Sequence, residues 1–296
     1  MRILDIAELL LLAALWGGSF LFMRIAAPVL GPVWLIEFRV LLAGLVLLPI
    51  LARLNLLSQV RRHLIPLVVV GCINSAIPFL LLAFASVSLP AGFTSILNAT
   101  APLFGAIVAW LWLQEKFTFP RRLGFILGFT GVVILVGWKA IATTPTFLAA
   151  VSAGLLAALM YAIAAPYIKQ HLAGVPSLVV TTGSQLGAAF VLLPMLPFTV
   201  PQQTPSMAVA ISVMALALLS TALAYILYFR LIRKIGSTKA LTVAYLIPLF
   251  AMLWGALVLQ EAVTVSMILG CGLVLLGTAI ANDLLPITLN NKSKTS

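Results

Sequence analysis

The sequence predicts an all-α membrane protein with ten transmembrane helices, arranged as two five-helix repeats that lie upside down relative to each other. Three observations predict this fold class. The 296 residues are 63% hydrophobic and 8% charged, whereas a soluble domain carries about 25% charged residues on its hydrated surface. The apolar residues fall in runs of membrane-spanning length. One string of residues recurs 146 positions later in the chain.

Ten apolar runs have about the 20 residues needed to cross the hydrocarbon core of a bilayer. The spans are predicted at 6–27, 32–52, 64–86, 91–113, 121–138, 147–168, 176–197, 207–230, 238–260 and 264–282. No loop between them is long enough for a soluble domain. The N-terminal region holds Asp5 and Glu8 besides Arg2, and no small-residue cleavage site follows the first run, so we expect a retained span rather than a signal peptide.

The basic residues are segregated to one side of the predicted spans. Of 17 Lys and Arg, fourteen fall on one side if the spans alternate, while Lys139 falls on the other and Arg24 and Arg39 lie within spans. Positive loops face the cytoplasm, so both termini, including a short tail at 283–296, are predicted to be cytoplasmic in the inner (cell) membrane. The net charge of +11 comes from these short loops between apolar runs, so we expect no nucleic acid as a partner; the expected partners are the lipid bilayer and a small-molecule solute.

An internal repeat is the most specific signal. The segment from Pro102 to Gly131 has the pattern P-L-F-x6-L-x-L-Q-E-x2-T-x4-L-G-x2-L-x3-G, which recurs from Pro248 to Gly277 with 12 of 30 positions identical. Leucine matches follow from composition, but Pro-Leu-Phe and Gln-Glu at a fixed separation do not. The pattern predicts two repeats, at 6–138 and 147–282.

The two repeats must enter the membrane from opposite sides, because each contains an odd number of spans. Loop charges agree with this inversion. Glu115 is followed by Lys116, Arg121 and Arg122, whereas the positions that follow Glu261 are uncharged. Inverted repeats are typical of secondary transporters, which alternate between two states around a site at the midplane of the membrane.

The start at Trp16-Gly17-Gly18-Ser19, Arg39 in the second span and the P-L-F…L-Q-E string in both halves resemble the drug/metabolite transporter superfamily. Within it, the chain is similar to the EamA-type exporters with ten helices. The resemblance implies a central cavity lined by the first four helices of each repeat, with the fifth and tenth at the periphery. It also implies transport, usually export, of amino acids or other small metabolites without ATP hydrolysis.

Four ionisable residues within or near the predicted spans need a reason, because charges are costly inside a bilayer. Arg39 either attracts a carboxylate of the solute or pairs structurally, and the sequence leaves both alternatives open. Arg24 and Glu37 flank the first turn, and a structural pair between them is favoured over proton coupling by Glu37. Glu8 lies at the shallow cytoplasmic end of the first span, where a helix N-terminus favours a negative charge.

Polar and aromatic residues near the midpoints of spans are candidates for solute contact, although such residues also bridge or pack helices. With Arg39, the predicted solute-binding residues are Trp16, Ser19, Phe20, Asn74, Phe79, Asn98, Tyr161, Ser220, Tyr225 and Tyr245. Three prolines that interrupt helices are predicted to act in gating, namely Pro78, Pro102 and Pro248. Ser75 and Thr221 are further polar residues near midpoints.

A secondary transporter is the favoured function, and an intramembrane enzyme or a channel are the alternatives. The chain has two histidines, both near loops, and lacks the H-E-x-x-H and G-x-S-x-G motifs. Cys72 and Cys271 lie in apolar runs and are predicted to be core residues. We therefore expect no enzyme activity, cofactor or metal. The solute, the flux direction, proton coupling and the choice between monomer and homodimer stay open.

Overall fold

The computed structural model describes residues 2–137, 144–282 and 284, so Lys139 and nearly all of the predicted tail at 283–296 lie outside the described residues. Helices are the regular secondary structure throughout these ranges. We number them α1 (Ile3–Arg53), α2 (Leu57–Arg62), α3 (Leu64–Ser88), α4 (Ala91–Trp112), α5 (Phe119–Val136), α6 (Pro145–His171), α7 (Ser177–Phe198), α8 (Met207–Ile235), α9 (Lys239–Leu259) and α10 (Val265–Ala281).

Eight of the described helices are long and apolar enough to cross a membrane. The prediction of ten spans differs from this number at two places. The first two predicted spans form the single helix α1, and the last corresponds to α10, an apolar helix of 17 residues. The all-helical membrane architecture is confirmed, whereas the count of ten stays a prediction.

Helix α1 is broken at Gly31, between the two predicted spans. A straight helix of its 51 residues would be about 77 Å long at 1.5 Å per residue, far more than a hydrocarbon core of about 30 Å. Gly31 has φ 73° and ψ 157°, a backbone conformation that glycine adopts without the steric cost of a Cβ atom. The break divides α1 into a first arm, residues 3–30, and a second arm, residues 32–53.

Helices α3 and α8 each contain a π-helical turn near the middle. The turns are Cys72–Ala76 and Leu218–Leu223. Such turns add a residue to the helical repeat and are frequent at functional sites. They carry the predicted polar residues Asn74, Ser75, Ser220 and Thr221.

Helices α5 and α10 pack closely against each other through glycine. A Cβ atom on Gly131 would lie 2.7 Å from the Gly270 carbonyl oxygen, and one on Gly124 would collide with the Gly277 carbonyl oxygen. Sequence numbers rise along one helix as they fall along the other at these contacts, so the two helices are antiparallel. Small residues allow this close approach, as is common between membrane helices.

The outer surface of the bundle is apolar, as lipid contact requires. Ile65, Phe190, Ile211 and Leu257 are 60–76% exposed, and a soluble monomer rarely exposes so many large apolar side chains together. Inside, α1 packs against α3, α7, α8 and α9, and Leu12 and Met23 on its first arm are fully buried. Helix α1 is therefore the central element of the structure.

The two ends of the bundle differ in charge. At one end, Glu8 pairs with Arg230 at 3.0 Å and with Lys234 at 2.7 Å, which connects the start of α1 to the end of α8. We call this the basic end, because Arg53 and Lys169 also lie near the ends of their helices there. The opposite end contains Gly31 and the connections from α3 to α4 and from α9 to α10, and we call it the neutral end.

Candidate functional site

A cavity of about 570 Å³ lies at the centre of the bundle. It is bounded by α1, α3, α4, α6, α8, α9 and α10. Nine of the predicted solute-binding residues line it: Trp16, Ser19, Phe20, Arg39, Phe79, Asn98, Tyr161, Tyr225 and Tyr245. Pro102 and Pro248, two of the predicted gating prolines, line it as well. Their roles in binding and gating stay predictions.

Arg39 is the cation of this cavity and is 5% exposed. Its Nε donates a hydrogen bond to Thr221 Oγ1 at 3.1 Å, and its guanidinium carbon lies 3.6 Å from the centre of the Phe79 ring. One terminal nitrogen lies 3.9 Å from the sulfur of Met23. No carboxylate among the described residues forms an ion pair with Arg39, so its charge is held by a hydroxyl and an aromatic face.

The π-helical turn of α8 orients the hydroxyl that Arg39 contacts. Thr221 Oγ1 donates to the Leu216 carbonyl oxygen, five residues earlier, at 2.8 Å. With its proton committed to that carbonyl, the hydroxyl oxygen accepts from the Arg39 guanidinium. The local break in the helical repeat of α8 thus fixes the side chain of a residue on α1.

Aromatic rings form much of the cavity wall. The Trp16 ring centre lies 6.2 Å from that of Tyr225, and Phe79 and Tyr161 are 6.5 Å apart in an edge-to-face arrangement. Aromatic pairs in such geometry stabilise each other beyond their buried area. A largely apolar wall with a few placed polar groups is typical of pockets for small organic molecules.

Asn98 lies where α4 is interrupted. The helix runs over Ala91–Asn98, turns at Ala99 and Thr100, and resumes over Ala101–Trp112 with Pro102 in its first turn. The side-chain oxygen of Asn98 is buried without a hydrogen-bond partner among the described residues. A buried amide oxygen normally has a donor, so this atom has capacity for one from a solute.

Two predicted solute-binding residues and one predicted gating residue lie away from the cavity lining. The Ser220 hydroxyl donates to the Leu15 carbonyl oxygen at 2.7 Å and joins α8 to α1. Asn74 lines a separate groove of about 390 Å³ that also contains Lys169. Pro78 is buried in α3. For these residues the structure favours helix packing or a second groove over contact with the central cavity.

The predicted pair between Arg24 and Glu37 is wrong. Arg24 Nε lies 3.2 Å from Glu261 Oε1, and one of its terminal nitrogens donates to the carbonyl oxygens of Ser86 at 3.0 Å and Val87 at 2.6 Å. Glu37 is 3% exposed, and neither of its carboxyl oxygens has a partner among the described residues. The guanidinium prefers an acidic group and two free carbonyls at a helix end, which satisfy more of its donors.

The expected lining of the cavity is also corrected at two helices. Among the described residues α7 contributes none to the lining, because its small residues pack against α3: a Cβ atom on Gly71 would lie 2.6 Å from the Ser184 carbonyl oxygen. Helix α10, expected at the periphery, contributes Thr278, whose hydroxyl lies 3.5 Å from the Ala99 carbonyl oxygen at the break in α4.

Some lining residues had not been singled out from the sequence. They are mainly small or polar residues of α4, α9 and α10, such as Ser95, Thr242, Thr278 and Asn282. The interruption of α4 by Ala99, Thr100 and Pro102 was a usable signal for Ser95, which lies one turn before it. Thr278 and Asn282 share one face of α10, four residues apart, but nothing in the sequence distinguishes that face from a packing face.

The cavity extends from the centre towards the basic end. Its lining continues to Leu241 and Thr242 at the start of α9 and to Asn282 and Leu284 after α10. At the neutral end, Arg24 and its partners join α1, α3 and the connection from α9 to α10. The cavity therefore has a closed neutral end.

Two free cysteines, Cys72 and Cys271, are the cysteines of the chain. In the part of the chain that the structure describes, no three His, Cys, Asp or Glu side chains are grouped so that they could hold a metal ion. The groups that line the cavity are hydrogen-bonding side chains, one cation and aromatic faces.

The sequence profile of the EamA-like transporter family matches residues 6–137 and again residues 148–282. The chain belongs to this family. As a family member it is a transporter of the drug/metabolite type and a multi-pass membrane protein, as its repeated strings had predicted.

Individual relatives are similar over nearly their whole length. An uncharacterized transporter of Archaeoglobus fulgidus is 24% identical over 92% of this chain and 96% of its own. A protein of Streptantibioticus cattleyicolor described as a probable terminal-alkyne amino-acid exporter is 24% identical over 93% of this chain and 92% of its own. A solved structure, described only as the crystal structure of a protein, matches the fold with a TM-score of 0.65 and 19% identity over 96% of this chain and 98% of that chain.

Proposed function

We propose that this protein is a secondary transporter that exports a small organic metabolite, an amino acid or aromatic solute bearing a carboxylate, across the cytoplasmic membrane by alternating access. The observation that carries the proposal is Arg39, a buried cation in the aromatic-walled cavity of about 570 Å³. A guanidinium binds a carboxylate with two parallel hydrogen bonds, and in a cavity of low polarity this attraction is stronger than in water.

The surrounding residues favour a solute with one carboxylate and an apolar body. Part of the Arg39 guanidinium has no acceptor among the described residues, while Trp16, Phe20 and Phe79 offer apolar and aromatic surface. The unpartnered oxygen of Asn98 suits a donor such as the ammonium group of an amino acid. Cavities of 300–1,000 Å³ are typical for small organic ligands, and this one falls within that range.

The ten-span topology with inverted repeats is part of the proposal. The break at Gly31 divides α1 into two arms of membrane-spanning length, and α10, with 17 residues, lies within the range for a span. These three segments and the seven helices α3 to α9 make ten spans. The antiparallel packing of α5 and α10 agrees with repeats that enter the membrane from opposite sides, because these helices end the two repeats.

Backbone features support the repeat at the same spacing as the sequence string. The π-helical turns begin at Cys72 and Leu218, 146 residues apart. Gln114 and Gln260 have left-handed φ values of 54° and 55°, also 146 residues apart. After each glutamine, a glutamate N–H donates to a carbonyl oxygen six residues earlier, at 3.2 Å and 3.1 Å. Strained backbone at matching positions is difficult to explain by composition.

The orientation follows from the basic end. Positive loops remain in the cytoplasm, so we place the basic end and both termini there. The cavity then faces the cytoplasm while Arg24 and its partners close the outer end, which is the state that loads solute for export. The name of the Streptantibioticus relative as an amino-acid exporter agrees with this direction.

The proposal is tested by counterflow in proteoliposomes. Purified protein is reconstituted, the vesicles are loaded with an unlabelled amino acid, and uptake of the labelled form is followed for aliphatic and aromatic amino acids, with and without a pH gradient. The probe pair is phenylalanine and phenethylamine, which differ by the carboxylate. We expect counterflow of a carboxylate-bearing solute and none of the decarboxylated amine.

Arg39→Ala should abolish this counterflow, and Arg39→Lys should retain a fraction, because lysine keeps the charge but not the planar fork. Phe190→Leu on the lipid-facing surface is the matched control and should transport normally. Unchanged counterflow in Arg39→Ala, or equal transport of phenethylamine by the parent protein, would exclude the proposed recognition.

A further inference from the structure

A cluster around Glu261 closes the neutral end. Besides accepting from Arg24 through Oε1, Glu261 accepts a hydrogen bond from the Ala91 backbone N–H through Oε2 at 2.9 Å. A Cβ atom on Gly255 would lie 2.5 Å from that same oxygen, so the absence of a side chain at 255 leaves room for the carboxylate. Glu261 thus joins α1, the start of α4 and the end of α9.

The basic end contains the same parts at the repeat spacing, but they are not assembled. Glu115 lies 146 residues before Glu261, and Lys169 lies 145 residues after Arg24. Glu115 accepts instead from Arg121 at 2.8 Å, and its side chain is 45% exposed. Lys169 forms no ion pair among the described residues and borders two grooves.

The helices that carry these residues are packed closely at one end, whereas at the other end α4 and α6 are in contact but leave a groove between them. On the neutral side, a Cβ atom on Gly17 of α1 would lie 2.7 Å from Phe250 Cβ and 3.0 Å from the Ala251 nitrogen of α9. The positions that correspond by spacing are Ala162 of α6 and Gly105 of α4. A Cβ atom on Gly105 would meet no atom within 4 Å.

A groove of about 390 Å³ occupies the space at Gly105. Ala162 and Lys169 of α6 line one wall, and Gly105, Ala109 and other residues of α4 line the opposite wall. Closing this groove would bring α6 as close to α4 as α1 lies to α9 at Gly17. Lys169 and Glu115 would then approach each other as Arg24 and Glu261 do.

From this geometry we infer that Lys169 and Glu115 form a second ion-pair latch at the basic end, which closes when the latch of Arg24 and Glu261 opens. The inference rests on the proposed alternating-access transport and names two of its gating residues. In the present state the neutral latch is closed, and Glu115 is held by Arg121 while the basic end is open. Transport of one solute then requires Glu115 to exchange Arg121 for Lys169.

The two latches differ in strength for two local reasons. The residue 146 positions after Arg121 is Met267, so no cation corresponds to Arg121 beside Glu261, whereas Glu115 has Arg121 as a competing partner. The methyl group of Ala109 occupies the position that corresponds to Gly255, so Glu115 cannot pack against α4 as closely. The basic latch is therefore the weaker one, which agrees with its being open here.

The test measures closure of the groove without a solute. In a background with Cys72→Ala and Cys271→Ala, Gly105→Cys and Ala162→Cys report contact of α4 with α6 by disulfide formation, and Lys169 and Glu115 stay in place. Breaking the neutral latch with Arg24→Gln should raise the cross-linking yield about fivefold, the factor expected when one partly buried ion pair is lost. Adding Glu115→Gln should cancel this rise.

Charge exchange separates a latch from a general structural effect. The double variant Glu115→Lys with Lys169→Glu should restore the rise, and each variant should elute as a monodisperse peak in detergent. The inference would be overturned if Arg24→Gln left the cross-linking yield unchanged, or if the yield still rose after Glu115→Gln was added. If the cross-linking yield rises in Arg24→Gln but no solute shows counterflow, the latch is retained and the proposed substrate is refuted. If counterflow depends on Arg39 but the cross-linking yield does not change in Arg24→Gln, the latch alone is refuted.

Discussion

The contact between α5 and α10 is built on the opposite principle from the central cavity. The pair is held by backbone contact at Gly131 and Gly270, where a Cβ atom has no room. The cavity is surrounded by large side chains, among them Arg39 and the aromatic rings, which enclose space for a solute. Close backbone packing leaves little freedom to move, whereas side chains around a cavity can rearrange. The comparison indicates a rigid support on one side of the bundle and a site of exchange at its centre.

The largest expected effect comes from filling the rigid pair. In Gly131→Leu, the new Cβ atom would lie 2.7 Å from the Gly270 carbonyl oxygen and 2.8 Å from the Val274 nitrogen. Backbone cannot move aside as a flexible side chain does, so we expect a loss of stability on the order of 3 kcal/mol. Thermal unfolding in detergent, followed by size-exclusion chromatography, measures the change.

Gly272→Leu is the control in the same helix. A Cβ atom at Gly272 meets no atom within 4 Å, so this variant should unfold at nearly the parent temperature. Equal losses in both variants would show that helix α10 tolerates leucine poorly everywhere and that the glycine contact has no special role.

In the cavity, a substitution should impair transport more than stability. Phe79→Leu removes the ring that lies 3.6 Å from the Arg39 guanidinium, and cation–π contacts of this kind account for about a tenfold change in affinity when desolvated. We expect KM in counterflow to rise about tenfold while the unfolding temperature falls little.

Phe93→Leu is the matched substitution outside the cavity. Phe93 is 7% exposed and contacts the Phe147 ring edge to face at 5.8 Å, within an apolar cluster. It should lower the unfolding temperature and leave KM unchanged. If instead KM changed in Phe93→Leu and not in Phe79→Leu, Phe79 would be a packing residue.

The sequence predicted the apolar architecture and nine of the residues that line the cavity. Composition, span length, polar residues within apolar runs and an internal repeat can all be read directly from the sequence. Arg39 and Tyr161 stood out as polar groups within apolar runs. The partner of Arg24 could not be predicted, because Glu261 is 237 residues away and Glu37 is near in sequence.

Asn74 and Ser220 show a second limit. Both lie in π-helical turns, where one extra residue rotates the following part of the helix by about 100° relative to an α-helix. A helical wheel drawn from the sequence therefore assigns such residues to the wrong face. The π-helical turns themselves had not been predicted from the sequence.

The smallest expected effect concerns the contact between α1 and α9. Trp254 Nε1 of α9 donates to the Ala14 carbonyl oxygen of α1 at 3.0 Å, beside the close contact at Gly17. Trp254→Phe removes one hydrogen bond and should cost about 1 kcal/mol, measured as unfolding temperature in detergent. Trp112→Phe, at a tryptophan that is 45% exposed, should change stability by less than about 0.5 kcal/mol.

Because the hydrogen bond of Trp254 joins the helices that the neutral latch also joins, Trp254→Phe should in addition raise cross-linking between positions 105 and 162, though by less than Arg24→Gln does. If stability fell without any change in cross-linking, the contact between α1 and α9 would belong to the rigid part of the molecule, and the boundary between the two regions would have to move.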